Sequence, residues 1–121
     1  MPLPRIIAIV DDDASVRSAV ARLGRSLKVA VREFESAEAF LGDPQLALVE
    51  CVITDLQMPG LSGLQLQRAL IDRGVNIPLI VMTAFPEERL RQEAMAHGAL
   101  GFLPKPFMAD GLIELLSRAV D

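Results

Sequence analysis

The sequence predicts a single α/β domain built on a parallel β-sheet. Short apolar runs alternate five times with segments that have the periodicity of amphipathic helices. The chain has 121 residues, the size of one ordinary domain, and its hydrophobic content of 51% can supply a packed core. This alternation is typical of a parallel sheet with helices on both faces and right-handed crossovers. We therefore expect one domain over residues 1–121.

The first strand and helix have clear limits in the sequence. Residues 6–10 are apolar and mostly β-branched, and the run stops at Asp11, as a buried parallel strand does at its carboxyl end. Asp13 is well placed to cap a helix that opens at Ala14. Four apolar residues then recur at helical spacing, namely Val16, Val20, Leu23 and Leu27. The prediction is β1 at 6–10 and α1 at 14–27.

The next three elements are short. Alternation of Val29 and Val31 with less apolar neighbours predicts β2 at 29–34, and a Ser cap at position 36 predicts the short helix α2 up to residue 41. After a Gly-Asp-Pro turn, the apolar run at 48–54 predicts β3, which is followed directly by an acid, as β1 is.

The second half of the chain repeats this pattern. Helix α3 is predicted at 63–72, with three apolar residues inward (Leu64, Leu70 and Ile71), and β4 at 78–82. A proline and two acids favour the first turn of α4, predicted at 86–97 with Gly98 beyond its end. Strand β5 is predicted at 100–103 and helix α5 at 108–120.

Helix α5 carries two apolar stripes. One stripe is Leu112, Leu115 and Ala119, and the other is Ile113, Leu116 and Val120. Together they exceed the usual width of a core-facing stripe. Two interpretations stay open: one stripe packs on the sheet while the other meets a partner, or both belong to one broad buried face.

Composition excludes several classes of function. The net charge is −4, which lacks the basic excess of a nucleic-acid-binding surface. The single cysteine, Cys51, excludes an internal disulfide and a multi-cysteine zinc site. The sequence shows no signal-peptide pattern, and no apolar run approaches the roughly 20 residues that span a bilayer. A cytoplasmic protein without direct contact to membrane or nucleic acid is expected.

Carboxylates follow two of the buried strands. Asp11, Asp12 and Asp13 follow β1, and Asp55 follows β3. The carboxyl ends of parallel strands meet at one edge of the sheet, where ligands bind at the topological switch point. Carboxylates that converge there repel one another and are tolerable only around a cation. Oxygen donors without His or Cys suit Mg²⁺, and Lys105 can supply a further positive charge.

Four motifs in order carry a resemblance over nearly the whole chain. They are VDDD at 10–13, TDLQMPGLSG at 54–63, MTA at 82–84 and GFLPKPF at 101–107. This set resembles the receiver domain of bacterial two-component response regulators, and most of all the receivers of FixJ-like, LuxR-type regulators. The resemblance implies a doubly wound, flavodoxin-like (βα)5 fold with strand order 2-1-3-4-5.

The resemblance implies a phosphorylation-dependent switch in a phosphorelay. Asp55 matches the phosphoacceptor, which would attack the phosphohistidine of a sensor histidine kinase and form an acyl phosphate. Asp12, Asp55 and the backbone carbonyl of Gln57 would bind Mg²⁺, and Asp11 would reach it through water. The domain would assist its own phosphoryl transfer and slow autodephosphorylation without being an enzyme in the ordinary sense.

The remaining motifs match groups that sense the phosphoryl group. Lys105, the Thr83 hydroxyl and the Ala84 N–H would bind its oxygens. Thr83 would move toward it, and Phe102 would turn into the vacated space and alter the surface of α4, β5 and α5. The bond before Pro106 matches the cis peptide of the family. The altered surface would serve a homodimer, an output domain or a downstream protein.

One departure from the FixJ-like pattern lies after the switch threonine. That subgroup often continues with Gly-His-Gly, whereas Ala84, Phe85 and Pro86 follow here. The hypothesis is that Phe85 shields the acyl phosphate from water and lengthens its lifetime. The lone histidine, His97, is interpreted as a surface group at a helix end.

Three other functions are weaker alternatives. An unphosphorylated interaction module tends to lose residues of the acidic pocket, and none is missing here. A haloacid-dehalogenase-like phosphatase has a second Asp two positions after its nucleophile, where this chain has Gln57. An FMN carrier is disfavoured because the chain has no Trp or Tyr, and no Ser/Thr-rich loop follows β1.

Overall fold

The computed structural model describes residues 2–120, which form a five-stranded sheet and five α-helices. The predicted domain limits, Met1 and Asp121, lie outside the described residues. In chain order the elements are β1 Ile6–Val10, α1 Ala14–Leu27, β2 Ala30–Phe34, α2 Ala37–Leu41, β3 Cys51–Asp55, α3 Gly63–Asp72, β4 Leu79–Thr83, α4 Glu88–Ala96, β5 Gly101–Pro104 and α5 Ala109–Arg118. None of the helices in this part of the chain is long and apolar enough to cross a membrane.

All neighbouring strands are parallel, and their order is β2-β1-β3-β4-β5. The predicted fold class and strand order are therefore confirmed. Val10 pairs with Thr54, so Asp11 and Asp55 leave adjacent strands at the same level of the sheet. The chain reverses its direction of winding at β1, which lies between β2 and β3, and this reversal opens the crevice at the carboxyl edge.

The two faces of the sheet bury separate apolar clusters. On one face, strand residues such as Val10 and Val52 pack against Phe40 of α2, Leu66 of α3 and Ala94 of α4. The opposite cluster joins the alternate strand residues to α1 and α5; among its members are Ile7, Ile9, Ile53, Val20, Leu112 and Leu116. Because strand side chains alternate between faces, each strand contributes to both clusters. Burial on both faces explains why β1, β3 and β4 are continuous apolar runs, whereas the edge strand β2 is only partly buried.

Helix caps fix the loops at the carboxyl edge. Asp13 caps α1 as predicted, since Oδ1 accepts a hydrogen bond from the Ser15 N–H at 2.9 Å. Helix α3 begins with a capping box: Ser62 Oγ accepts from the Gln65 N–H, and Gln65 Oε1 accepts from the Ser62 N–H. These bonds set where each helix leaves the loop that carries the acidic residues.

Six elements start later than predicted: β2, β4, β5 and α5 by one residue, α4 by two and β3 by three. Strand β3 begins at Cys51 because residues Leu46–Leu48 form a 3₁₀ turn, which leaves Leu48 56% exposed. Pairing of β2 begins at Ala30 rather than at position 29. Helix α4 begins at Glu88, because Glu87 has extended backbone angles and acts as its N-cap residue. An apolar run alone does not reveal where pairing with a neighbour starts.

The residues that the helices bury also differ in part from the prediction. Ile71 was expected to face inward, but it is 48% exposed, and Gln67 lies on the buried face of α3 instead. Its Nε2 donates to the Ala94 carbonyl on α4, which satisfies the buried amide. On α5 the buried residues come from both stripes, namely Leu112, Leu115 and Leu116, while Val120 is exposed. The sheet therefore packs against residues from both stripes.

Candidate functional site

The carboxyl edge of the sheet brings three carboxylates together. Asp11, Asp12 and Asp55 each offer one oxygen, and these three atoms lie within 4.8 Å of one another. Asp11 and Asp55 end up here because β1 and β3 are adjacent and in register. Asp12 follows in the turn before α1 and is exposed. The convergence of these three predicted site residues is therefore observed.

Asp11 is completely buried, and both of its carboxylate oxygens have partners. Its Oδ1 accepts a hydrogen bond from the Asp13 N–H at 2.9 Å, and its Oδ2 lies 2.7 Å from Nζ of Lys105. These are charge-assisted bonds, which are shorter and stronger than neutral ones. Asp13 itself points elsewhere, because its side chain caps α1. Hydrogen bonds from Ser15 lower the pKa of the Asp13 carboxyl.

Asp55 is 7% exposed, and its surroundings shift the pKa of its carboxyl group. Burial raises the pKa of Asp55 above its ordinary value, and the negative charge of Asp11 raises it further. The Lys105 ammonium, 3.2 Å from Oδ1, opposes this rise. Asp55 is thus a buried carboxylate with a like charge and an ammonium beside it.

Lys105 reaches both buried carboxylates from the loop after β5. Burial lowers its pKa, but its bonds and charge interactions with Asp11 and Asp55 outweigh burial, so the net pKa is raised. The Lys105–Pro106 peptide bond is cis, as expected. The Lys105 N–H also donates to the Thr83 carbonyl at 2.8 Å, which ties this loop to the end of β4. Lys105 is therefore held charged at the centre of the site.

Thr83 ends β4 and is buried. Its Oγ1 accepts a hydrogen bond from the Phe85 N–H at 3.1 Å, so the hydroxyl is engaged with its own loop. Ala84 and Phe85 are both exposed, the latter by 69%. Gln57, in the loop after β3, is also exposed.

Phe102 on β5 is partly buried and contacts the apolar cluster beneath α2, α3 and α4. It also lines an open groove of about 420 Å³ between α4 and β5. The other lining residues are Pro86, Glu87, Glu88, Arg91 and Pro104. The groove includes Pro86 and Glu87, which end the β4–α4 loop. Ala84 and Phe85 separate them from Thr83.

The chemistry of the cluster fits a magnesium ion. Its ligands would all be oxygen atoms, with neither His nor Cys among them, and such a donor set suits hard cations. The charge of Asp11 raises the pKa of Asp55, which shows that the carboxylates repel each other despite Lys105. Asp12 and Asp55 would hold a divalent cation, which would offset the negative charge of the cluster.

The sequence interpretation missed Arg17. Its Nη1 donates to the backbone carbonyl of Asp11 at 2.6 Å. A signal for it existed, since helical side chains point toward the helix N-terminus, where a cation has no favourable interaction with the dipole. An arginine in the second turn of α1 therefore required a specific acceptor.

The resemblance to known proteins covers almost the whole chain. The model of the family described as "Response regulator receiver domain" matches residues 7–117. The transcriptional regulatory protein FixJ of Azorhizobium caulinodans is 44% identical over 108 residues, which are 88% of this chain and 51% of FixJ. The transcriptional regulatory protein TdiR of Thauera aromatica is 38% identical over 114 residues, covering 94% and 50% of the two chains.

The crystal structure of FixJ-N is also similar. It superimposes with a TM-score of 0.83 at 40% identity, covering 94% of this chain and 91% of that one. The chain spans about half the length of the curated relatives that it matches. The family match, the strand order and the acidic edge agree, and the chain belongs to the response regulator receiver domain family.

Proposed function

We propose that Asp55 is the phosphoacceptor of a two-component signalling switch. The supporting observation is the position of its buried carboxylate, beside Asp11 and Asp12 and 3.2 Å from the Lys105 ammonium. A carboxylate oxygen of Asp55 attacks the phosphorus of a phosphohistidine on a sensor histidine kinase. The new O–P bond forms an acyl phosphate, the P–N bond breaks, and the departing imidazole takes up a proton.

The metal site belongs to the same proposal. Asp12, Asp55 and the backbone carbonyl of Gln57 would hold Mg²⁺, and Asp11 would reach it through water. When bound, Mg²⁺ neutralises charge on the phosphoryl group during transfer. Buried Asp11 keeps Lys105 aimed at Asp55, so the chain itself supplies a second positive charge.

Two side chains change partners when the phosphoryl group arrives. Lys105 now bridges Asp11 and Asp55, and a phosphoryl oxygen would replace the Asp55 carboxylate as its second acceptor. The Thr83 hydroxyl now accepts from the Phe85 N–H, but toward a phosphoryl oxygen it would donate, joined by the Ala84 N–H. A donor that gains a strong acceptor biases the loop between two conformations.

The readout of the switch follows from the β4–α4 loop. Movement of Thr83 shifts the segment that leads to the groove, and Phe102 on the groove wall turns inward. The surface formed by α4, β5 and α5 changes as a result. This surface would then meet a second copy of the chain, an output domain or a downstream protein, while the kinase provides the phosphoryl group.

We further propose that residues 1–121 constitute one receiver domain, which works in the cytoplasm and does not itself contact nucleic acid or membrane. The net charge of −4 supports the absence of nucleic-acid contact. The domain is a phosphoacceptor rather than a classical enzyme, and its acyl phosphate is lost slowly by autodephosphorylation at the same site.

Intact-mass measurement with acetyl phosphate and Mg²⁺ tests the proposal. We expect the mass of one phosphoryl group to be added, and no addition without metal or in Asp55→Asn. Asp72→Asn is the matched control because Asp72 is an exposed residue at the end of α3, so it makes the same change in charge away from the site. A folded protein that accepts no phosphoryl group, either from acetyl phosphate or from phosphorylated kinase, would contradict the proposal.

A further inference from the structure

Arg17 of α1 lies against the acidic end of β1. Its Nη1 donates to the carbonyl oxygen of Asp11 at 2.6 Å, and its Nε lies 3.7 Å from Oε1 of Glu33 on β2. The side chain is largely buried, with 17% exposed. Because the helix dipole opposes a cation near the N-terminus of α1, the contacts of the guanidinium, rather than helix stability, explain this position.

The Asp11 carbonyl depends on this contact. Residue 11 is completely buried, and the pairing of β1 with both neighbours ends at Val10. A buried carbonyl oxygen beyond the end of a strand needs a hydrogen-bond donor from another source. Arg17 provides it, with a charge-assisted bond that is stronger than a neutral one.

Two hydrogen bonds together fix the main chain on both sides of Asp12. The peptide group before Asp12 is held at its carbonyl by Arg17. The peptide group after Asp12 is held at its N–H by Oδ1 of Asp11, at 2.9 Å. The Asp12 carboxylate is exposed and contributes an oxygen to the acidic cluster. The direction of the Asp12 carboxylate is therefore set by a main chain that Arg17 helps to hold in place.

We propose that Arg17 is a positioning residue for the magnesium site, which orients Asp12 through the Asp11 carbonyl. The inference rests on the proposed function, because it assumes that Asp12 binds the metal. Arginine suits the task better than lysine, since its planar guanidinium offers one N–H to the carbonyl and another toward Glu33.

The direction in which Mg²⁺ affinity changes when Arg17 is removed distinguishes a positioning role from a simple charge effect. A positive charge near a cation site repels the cation, so removal of any nearby arginine tightens Mg²⁺ binding through charge alone. A positioning role predicts the opposite, because loss of Arg17 frees the Asp11–Asp12 peptide group and misdirects a ligand. Changes to groups that orient metal ligands typically cost 10- to 100-fold in affinity.

Calorimetric titration of Mg²⁺ into the full chain at constant ionic strength tests the inference. We expect about tenfold weaker binding for Arg17→Gln and a smaller loss for Arg17→Lys. Arg22→Gln is the matched control because Arg22 is an exposed residue of the same helix, and its removal changes the charge equally. That control should bind Mg²⁺ as tightly as the unmodified chain or slightly more tightly.

Each other outcome decides against the inference. If Arg17→Gln binds Mg²⁺ as tightly as the control while Asp12→Asn binds it weakly, the metal site stands and the role of Arg17 is overturned. If the unmodified chain binds no Mg²⁺, the proposed function and the inference both fail. Should circular dichroism show that Arg17→Gln is unfolded, Arg17→Lys decides because it keeps the charge, and unchanged Mg²⁺ affinity there would also overturn the inference.

Discussion

Nζ of Lys105 lies 2.7 Å from Oδ2 of Asp11, a carboxylate that is completely buried. The pair joins the loop after β5 to the end of β1 across the intervening strands. Because Asp11 has no access to solvent, its two carboxylate oxygens are satisfied by this ammonium and by the Asp13 N–H. The acidic edge of the sheet is thus assembled around a buried ion pair.

Lys105→Met should destabilise the metal-free protein. Removing one partner leaves the buried Asp11 side chain without its ammonium, and we expect a loss of about 3 kcal/mol in the free energy of unfolding. Urea denaturation without metal measures it. The double variant with Asp11→Asn should lose less than the sum of the single changes, because the uncompensated charge is gone. Strict additivity would show that the pair contributes no coupling.

Asp55→Asn should stabilise the metal-free protein at neutral pH. Burial and the Asp11 charge raise the folded-state pKa of Asp55, so the native state binds more protons than the unfolded state in the window above the ordinary value of 3.8. Stability therefore falls as pH rises through that window. The neutral amide removes this loss, and we expect Tm at pH 7 to rise by about 2–4 °C.

Thermal unfolding from pH 4 to pH 7 checks this sign. The gain from Asp55→Asn should grow with pH and shrink when Mg²⁺ is added, because the cation offsets the carboxylate repulsion in the unmodified protein. A gain that is constant over this range would contradict the assigned cause.

The sequence was sufficient for the sheet, its strand order and the convergence of the carboxylates. The sheet and the convergence follow from alternating apolar runs and from acids placed directly after two of them, whereas the strand order follows from the resemblance to receiver domains. Arg17 was missed because its place near the start of α1 does not identify its acceptor, which is a main-chain carbonyl. Gln67 was missed because its buried amide is satisfied by a carbonyl on another helix. The roles of Asp55, Lys105 and Thr83 in phosphoryl transfer stay predictions.

Phe85→Ala tests whether the aromatic ring shields the acyl phosphate. The residue follows Thr83 by two positions and is 69% exposed, so the ring is free to cover the site without breaking core contacts. We expect the acyl phosphate of the variant to be lost about two to five times faster, as water gains access. Intact mass followed over time measures the rate, and Met108→Ala, another exposed apolar residue, is the control. Equal lifetimes in all three proteins would end the shielding hypothesis.

Thr83→Val should separate phosphorylation from its readout. The change keeps the side-chain shape but removes the hydroxyl that bonds to the Phe85 N–H. We expect Asp55 to accept the phosphoryl group still, with the Phe102 ring signals in NMR spectra changing much less than in the unmodified chain. Conservative Thr83→Ser should restore the response. A full Phe102 response in Thr83→Val would show that the signal bypasses this hydroxyl.

Gly63→Ala should disturb the main chain that positions Asp55. Gly63 opens α3, and a Cβ atom there would lie 2.5 Å from the Asp55 carbonyl oxygen and 3.1 Å from the Leu56 Cα. Both are main-chain atoms of the segment that carries Asp55, the proposed phosphoacceptor, so the helix or the end of β3 must shift.

Overpacking of this kind costs about 1–3 kcal/mol in unfolding free energy. We expect a slower phosphorylation rate of Asp55 in addition. Gly111→Ala is the matched control, because its added Cβ would meet only a Leu103 methyl at 3.7 Å, an ordinary contact. Inside α5 that change should stabilise the protein by up to about 1 kcal/mol. Equal effects of the two substitutions on stability and rate would show that contact between α3 and β3 does not position Asp55.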